Sequence, residues 1–416
     1  MAKIEIQGGR PLRGRLQVSG SKNAVLPMMA ASILNKGCVT IQGCPWISDV
    51  RHMVTILRKL GCRVQYEAGN MTIQAKELQN TMLTEESVRA MRSSVILAGA
   101  LLGRCRQAMI AYPGGCLIGE RPIDIHLSAF RKMGVDVREE EILQCQCEKL
   151  TGSEIRLAFP SVGATENIIL AAVLAEGTTV IYNAAREPEI GCLLRMLKQM
   201  GADVYVPEAG TICIRGVKQL HDACVQVDSD RIVAGTYIMA AAGTGGYAEI
   251  TMHHPEQLEF VNNVMRAIGC DIREYDKNLL TVRCHKLKPV SVHIKTEVYP
   301  GFPTDLQSPF GAVLLKVPGE HMIQETIFES RFLALQELGK LGGKVKIEED
   351  TAYITGGGKL AGSKLVARDL RGGAALVLGG LFSEGISTVE GVSFIERGYE
   401  DICGDLQKLH GCVKYI

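Results

Sequence analysis

Residues 57–64 read LRKLGCRV: leucines at helical spacing, a central glycine, and then a chain that switches to strand-forming residues. The same pattern returns at 130–137 (FRKMGVDV), 197–204 (LKQMGADV), 265–272 (MRAIGCDI), 338–345 (LGKLGGKV) and, degraded, at 406–415 (LQKLHGCVKY). The central glycines, Gly61, Gly134, Gly201, Gly269 and Gly342, recur about every 70 residues. Each copy reads as an amphipathic helix closed by a glycine C-cap and followed at once by a strand. The strand then turns into a partner, as in VQYEAGNMTIQ (64–74) and VKIEEDTAYITGG (345–357), which is hairpin patterning.

Ahead of these helices lies a second shared element, as in KGCVTIQGCPWISDV (36–50), EGTTVIYNAAREPEI (176–190), GGYAEITMHHPEQLEF (245–260) and EGISTVEGVSFIERGYEDI (384–402). Each gives a strand, a short loop and an acidic helix start. Earlier still come NAVLPMMAASIL (23–34), RSSVILAGALLG (92–103), TENIILAAVLA (165–175), DRIVAGTYIMAAAG (230–243) and LRGGAALVLGGLF (370–382). These are apolar around most of their circumference, so they are expected to be buried. The repeat is therefore a βαβαββ-type unit, present six times. Buried helices need a closed shell of sheets, which favours two globular domains of three units over an open solenoid. The expected division is 21–229 for the first domain, and 1–20 plus 230–416 for a discontinuous second one. The opening strand KIEIQGG (3–9) is then free to pair with the far end of the chain, and ligand is expected in the interdomain cleft.

Composition narrows the function. The 416 residues carry 46 Lys+Arg against 45 Asp+Glu, so there is no basic bias of the kind nucleic acid selects. No apolar run approaches the length of a membrane span, and MAKIEIQGGRPL has no signal-like core, so a cytoplasmic protein is expected. The 14 cysteines are scattered and mostly in apolar surroundings, which suits reduced packing residues. Cys145 and Cys147 alternate on a strand with no second pair beside them; no metal and no cofactor is expected.

A few stretches break the apolar pattern with charge near helix starts. GSKNA (20–24) places Lys22 and Asn23 where a helix opens, a good anion site. The alternative is that Ser21 or Asn23 merely caps the helix and Lys22 is solvated. ERPIDIH (120–126) and IERGYEDI (395–402) place Arg121 and Arg397 at the start of surface helices in equivalent units, two planar forks suited to one anionic ligand. PGFPTDLQSPF (300–310) puts Asp305 just before a helix, as an N-cap or a general base. RDLRGG (368–373) holds Asp369 and Arg371 at another helix mouth, while TGGGKL (355–360) lacks P-loop spacing and reads as a turn. Cys116, in YPGGCLIGERP (112–122), sits among glycines near Arg121, which would favour a reactive thiolate over a packing role.

GSKNAVLP, PGGCLIGERPIDIH, PSVGATEN, NAAREPEI, DRIVAGTY, FPTDLQ, ETIFESRF, RDLRGGAAL and ERGYEDI occur in this order along the whole chain. Together they make it resemble the UDP-N-acetylglucosamine 1-carboxyvinyltransferases, within the EPSP synthase superfamily. The resemblance implies a two-domain inside-out α/β barrel. It also implies transfer of enolpyruvyl from phosphoenolpyruvate to the 3′-hydroxyl of UDP-N-acetylglucosamine with release of phosphate, opening peptidoglycan synthesis. Carried over residue by residue, Lys22, Asn23, Arg121, Arg371 and Arg397 would hold phosphoenolpyruvate, Cys116 would protonate its methylene carbon, and Asp305 would serve the sugar hydroxyl. The nucleotide sugar would contact Arg92, Arg121, Pro122, Ile123, Asp124, Ile125, Ser161, Val162, Gly163, Asp305 and Ile327, and Asp369 would help the lobes close. Fosfomycin would alkylate Cys116. Phe159 and Phe394 depart from the basic residue and histidine that many members carry. The competing readings are the sibling 5-enolpyruvylshikimate-3-phosphate synthase, a silent nucleotide-sugar-binding paralogue, and a scaffold.

Overall fold

The computed structural model describes residues 2–111, 119, 122–329 and 331–416, apart from the side chain of Ala90. Cys116 and Arg121 lie outside the described residues. The chain divides into two compact units. Among described residues, one spans 20–111 and 122–228, and the other holds 2–19, Gly119 and 229–416.

Each unit contains three four-stranded sheets of one design. In the first, Cys38–Gln42 follows the buried helix Lys22–Ser32, and the hairpin Arg63–Glu67/Asn70–Gln74 packs antiparallel on its flank. The turn Ala68–Gly69 takes positive φ at both residues (46° and 81°), a twist that matches a two-residue hairpin. The remaining edge is a parallel strand, Ala223–Gln226, which arrives after the third repeat and closes the ring. In the other unit Arg13–Gln17 does the same for Tyr247–Thr251. The last sheet is completed by the chain's beginning: Ile4–Gln7 lies antiparallel between Ile386–Glu390 and Cys412–Tyr415.

The two units have separate apolar cores. Helices Arg231–Gly243 and Leu370–Phe382 are buried along their whole length, as their lack of a polar face requires. The RSSVILAGALLG stretch differs from expectation. It begins as a 3₁₀ helix, Arg92–Ile96, and becomes α-helical over Leu97–Cys105. Asn167 sets the approach there: its Oδ1 accepts from Gly99 N at 2.7 Å. The glycine C-caps adopt left-handed φ at Gly61, Gly134, Gly201, Gly269 and Gly342, and in the degraded sixth copy His410 takes that position at φ 58°.

Arg397 requires a correction. It does not open a surface helix but lies in the turn after the short helix Val392–Ile395. The helix Ile402–Lys408 starts later because Asp401 caps it, accepting from Gly404 N at 2.8 Å. Gly398 breaks the run between them, and a Cβ there would meet Leu370 at 2.8 Å. Among the described residues no helix is long and apolar enough to cross a membrane, and no three His, Cys, Asp or Glu gather as metal ligands do.

Candidate active site

In the unit that holds residue 22, Ser21 caps the helix, its hydroxyl accepting from Ala24 N at 3.3 Å. Lys22 is not solvated. Its ammonium lies 3.4 Å from the carboxylate of Asp49, a fully buried residue in the first turn of Ser48–Lys59. Lys22 is thus a positioned cation at a helix N-terminus, with Asn23 beside it.

Ser161 caps Val162–Ala172 in the same way, accepting from Ala164 N at 3.3 Å. Beside that N-terminus stands His126, whose ring would contact a Cβ placed on Gly163 at 3.3 Å. Asn167 Nδ2 approaches His126 Nδ1 at 2.8 Å and also donates to Val95 O. Because Asn167 Oδ1 already accepts from Gly99 N, Nδ2 is the donor, and the histidine proton resides on Nε2. Burial pushes the His126 pKa down to about 4, with Asp124 opposing and Arg92 reinforcing the shift. Four features of the expected nucleotide-sugar set, Arg92, Asp124, Ser161 and Gly163, therefore surround or adjoin this neutral imidazole. Ile123 and Ile125 turn partly onto the core, and Pro122 is exposed. Glu166, one turn along the helix, is buried. Its carboxyl is held well above the usual carboxylate range by burial and by Glu189 and Glu187.

In the other unit Asp305 sits in the 3₁₀ turn Thr304–Leu306, ahead of Gln307–Leu314, and caps neither. Its Oδ1 accepts from Arg331 Nη2 at 2.7 Å and its Oδ2 from Arg371 Nε at 3.2 Å. Both guanidinium groups are almost wholly buried, at 4% and 3% side-chain exposure, against 25% for Asp305, so the carboxylate is the open member of the cluster. For Arg371, burial opposes the charge, but Asp305 and Tyr399 outweigh it and raise the pKa. Tyr399 lies under the guanidinium, 5.8 Å from its carbon, and its hydroxyl meets Thr236 at 2.8 Å. Nη2 of Arg371 lies 3.1 Å from Asp305 Oδ2, while Nη1 of Arg371 and Nε of Arg331 are buried without a hydrogen-bond acceptor among the described residues. Buried donors of that kind fit an anionic ligand. Asp369 caps Leu370–Phe382, accepting from Gly372 N at 2.8 Å, and Arg397, two residues before Tyr399, is half-buried. Ile327 donates its N–H to Glu325 Oε1 at 2.9 Å.

The sequence reading assigned no role to Arg331, Asp49, His126 or Tyr399. Arg331 and His126 stand inside quoted motifs, and an acid on the buried face of a helix was the available signal for Asp49.

The chain matches the EPSP synthase (3-phosphoshikimate 1-carboxyvinyltransferase) family over residues 6–406. It is 45% identical to UDP-N-acetylglucosamine 1-carboxyvinyltransferase 1 of Halalkalibacterium halodurans, covering 100% of this chain and 95% of the relative. It is 43% identical to UDP-N-acetylglucosamine 1-carboxyvinyltransferase 2 of Caldanaerobacter subterraneus subsp. tengcongensis, covering 97% and 96%. Among solved structures, the enolpyruvyl transferase NikO from Streptomyces tendae superposes with a TM-score of 0.89 at 24% identity, covering 100% and 98%. EPSP synthase from Acinetobacter baumannii gives 0.76 at 18%, covering 100% of each chain. These two likenesses concern the fold, which is the two-domain α/β architecture of enolpyruvyl transferases. By its sequence along nearly its full length, the chain belongs to the EPSP synthase family, among the UDP-N-acetylglucosamine 1-carboxyvinyltransferases.

Proposed function

We propose that the chain transfers the enolpyruvyl group of phosphoenolpyruvate to the 3′-hydroxyl of UDP-N-acetylglucosamine, releasing phosphate, in the first committed step of peptidoglycan synthesis. The observation that carries this is 45% identity over the whole chain to a relative named for that activity. Asp305 receives the proton of the sugar hydroxyl as its oxygen attacks C2 of phosphoenolpyruvate, and Cys116 gives a proton to C3. The product is a tetrahedral ketal carrying both groups. Loss of a proton from the new methyl group and departure of phosphate then regenerate the double bond. Lys22, Asn23, Arg121, Arg371 and Arg397 hold the phosphate and carboxylate and stabilise the charge that builds on them. Arg92, the stretch 121–125, Ser161, Val162, Gly163 and Ile327 hold the nucleotide sugar, and Asp369 acts in closure.

The reaction runs in the cytoplasm, where phosphoenolpyruvate is available, and Cys116 is the site of fosfomycin alkylation. Incubation with both substrates should release phosphate only when the sugar nucleotide is present. Phosphate release independent of the sugar, or none, overturns the assignment. Fosfomycin should add one adduct mass to the peptide holding Cys116, and an adduct elsewhere would refute that part.

A further inference from the structure

Glu325 lies at the end of the strand Gly319–Gln324, is 3% exposed, and has no place in the reaction just described. A carboxylate so deeply buried must be fully occupied by donors, and this one is. Its Oε1 accepts from Thr296 Oγ1 at 2.8 Å, Ile327 N at 2.9 Å and Phe328 N at 3.3 Å. Its Oε2 accepts from Thr304 Oγ1 at 2.8 Å.

The Thr304 contact has a direction. Glu325 has no proton to give as a carboxylate, so the threonine hydroxyl donates to it and turns a lone pair outward. Arg331 Nη1 donates to that lone pair at 2.8 Å, and the other prong of the same guanidinium, Nη2, meets Asp305 Oδ1 at 2.7 Å. Arg331 also lies over the Phe328 ring, 5.1 Å from its centroid. One buried carboxylate therefore anchors two things: the backbone at Ile327, and, through Thr304 and Arg331, the orientation of Asp305.

We propose that Glu325 is a positioning residue that fixes the Asp305 carboxylate through a directed Thr304–Arg331 relay. This rests on the reading of Asp305 as the group that serves the sugar hydroxyl. An amide at position 325 can still accept from Ile327 N through its oxygen. Its Nε2, however, donates toward Thr304, leaves the hydroxyl proton without its acceptor and loosens Arg331. Misplacement of a reacting group by about 1 Å can lower turnover by about 100-fold.

The test is steady-state phosphate release by the full chain and by Glu325→Gln, Thr304→Val, Thr304→Ser and the Glu325→Gln/Thr304→Val double variant, with thermal unfolding of each. Glu325→Gln and Thr304→Val should each lower kcat roughly 10- to 100-fold with KM for both substrates within about threefold. Thr304→Ser, which restores the hydroxyl, should recover most of that loss. The double variant should be no slower than the slower single, because both act through one relay. Wild-type kcat in the single variants, multiplying losses in the double, or a Thr304→Ser as slow as Thr304→Val would each overturn the relay. A wild-type chain without sugar-dependent phosphate release would instead bring down the functional reading, and the relay with it.

Discussion

Asp305 and Arg371, 66 residues apart in sequence, meet at 3.2 Å through Oδ2 and Nε, while Arg331 takes the opposite oxygen at 2.7 Å. A carboxylate gripped on both oxygens has a fixed plane, which is what proton abstraction from one particular hydroxyl needs. Asp305→Asn keeps the shape but cannot take up the proton, and it leaves Arg371 buried without its counter-charge. The expected result is a fall in kcat of at least about 100-fold. A loss of stability of about 2 kcal/mol should accompany it, below the value for a wholly buried pair because Asp305 is a quarter exposed. Phosphate release and denaturant unfolding check this. Retention of more than a tenth of kcat would remove Asp305 from proton transfer.

Lys22 and Asp49 make a second prediction. Their 3.4 Å pair has an acid at 1% side-chain exposure and a lysine at 14%. Asp49→Asn should loosen the ammonium and raise KM for phosphoenolpyruvate roughly tenfold, with KM for the sugar nucleotide changed less than about threefold. Equal shifts in both constants would count against a role for Asp49 in orienting an anion site.

The half-buried imidazole of His126 predicts a pH dependence with a definite sign. Its folded pKa is about 4, below the value near 6.5 of an unfolded histidine. Between these values the unfolded chain binds the proton and the folded chain does not. Neutral burial therefore contributes stability in full above pH 6.5, and this is lost as pH falls toward 4. His126→Gln should flatten the fall of unfolding temperature with acidification across that window. A ring-proton titration midpoint near 6.5 in the folded protein would contradict the assignment.

His410 carries the left-handed conformation that glycine adopts in the other five repeats, at a φ of 58°. A non-glycine residue in that region costs about 1 kcal/mol or more. His410→Gly should therefore stabilise the chain by roughly 0.5–1 kcal/mol in urea unfolding, with activity unaffected. A destabilised variant would mean that the imidazole makes contacts worth more than the strain.

The repeat was legible because each unit declares itself locally: an apolar helix, an amphipathic one, a glycine where the backbone must turn left-handed, and a hairpin. Gly61 and Gly201 do this wherever the rest of the chain goes. What the sequence left unread is the pairing of buried charge. Nothing near Asp305 points to Arg371, and Asp49 has the pattern of any first-turn acid. Such partners are chosen by packing between distant segments, and a single residue type serves a cap, a solvated face or an ion pair equally well. The placement of Arg397 failed for a related reason: Gly398 and the Asp401 cap divide one acidic stretch that looks like a single helix start.

The strand Ile4–Gln7 pairs with Ile386–Glu390 and Cys412–Tyr415, at the far end of the chain. During synthesis it emerges well before either of its partner strands and waits for both. Closing so long a loop costs entropy that only the completed sheet offsets, and long-range pairing of this kind is slow. Residues 20–228 can acquire their whole core while the ribosome is still making the rest. The other unit stays open until the strand Cys412–Tyr415 emerges, with Ile4 and Ile6 exposed on an unpaired edge. Ribosome-bound chains halted near residue 380 should accordingly resist protease over 20–111 and 122–228 more than over 229–380, and equal resistance would contradict this order. A protein whose parts look equivalent when folded is thus made in two unequal stages, and the nascent chain is most vulnerable to misassembly at the strand Ile4–Gln7.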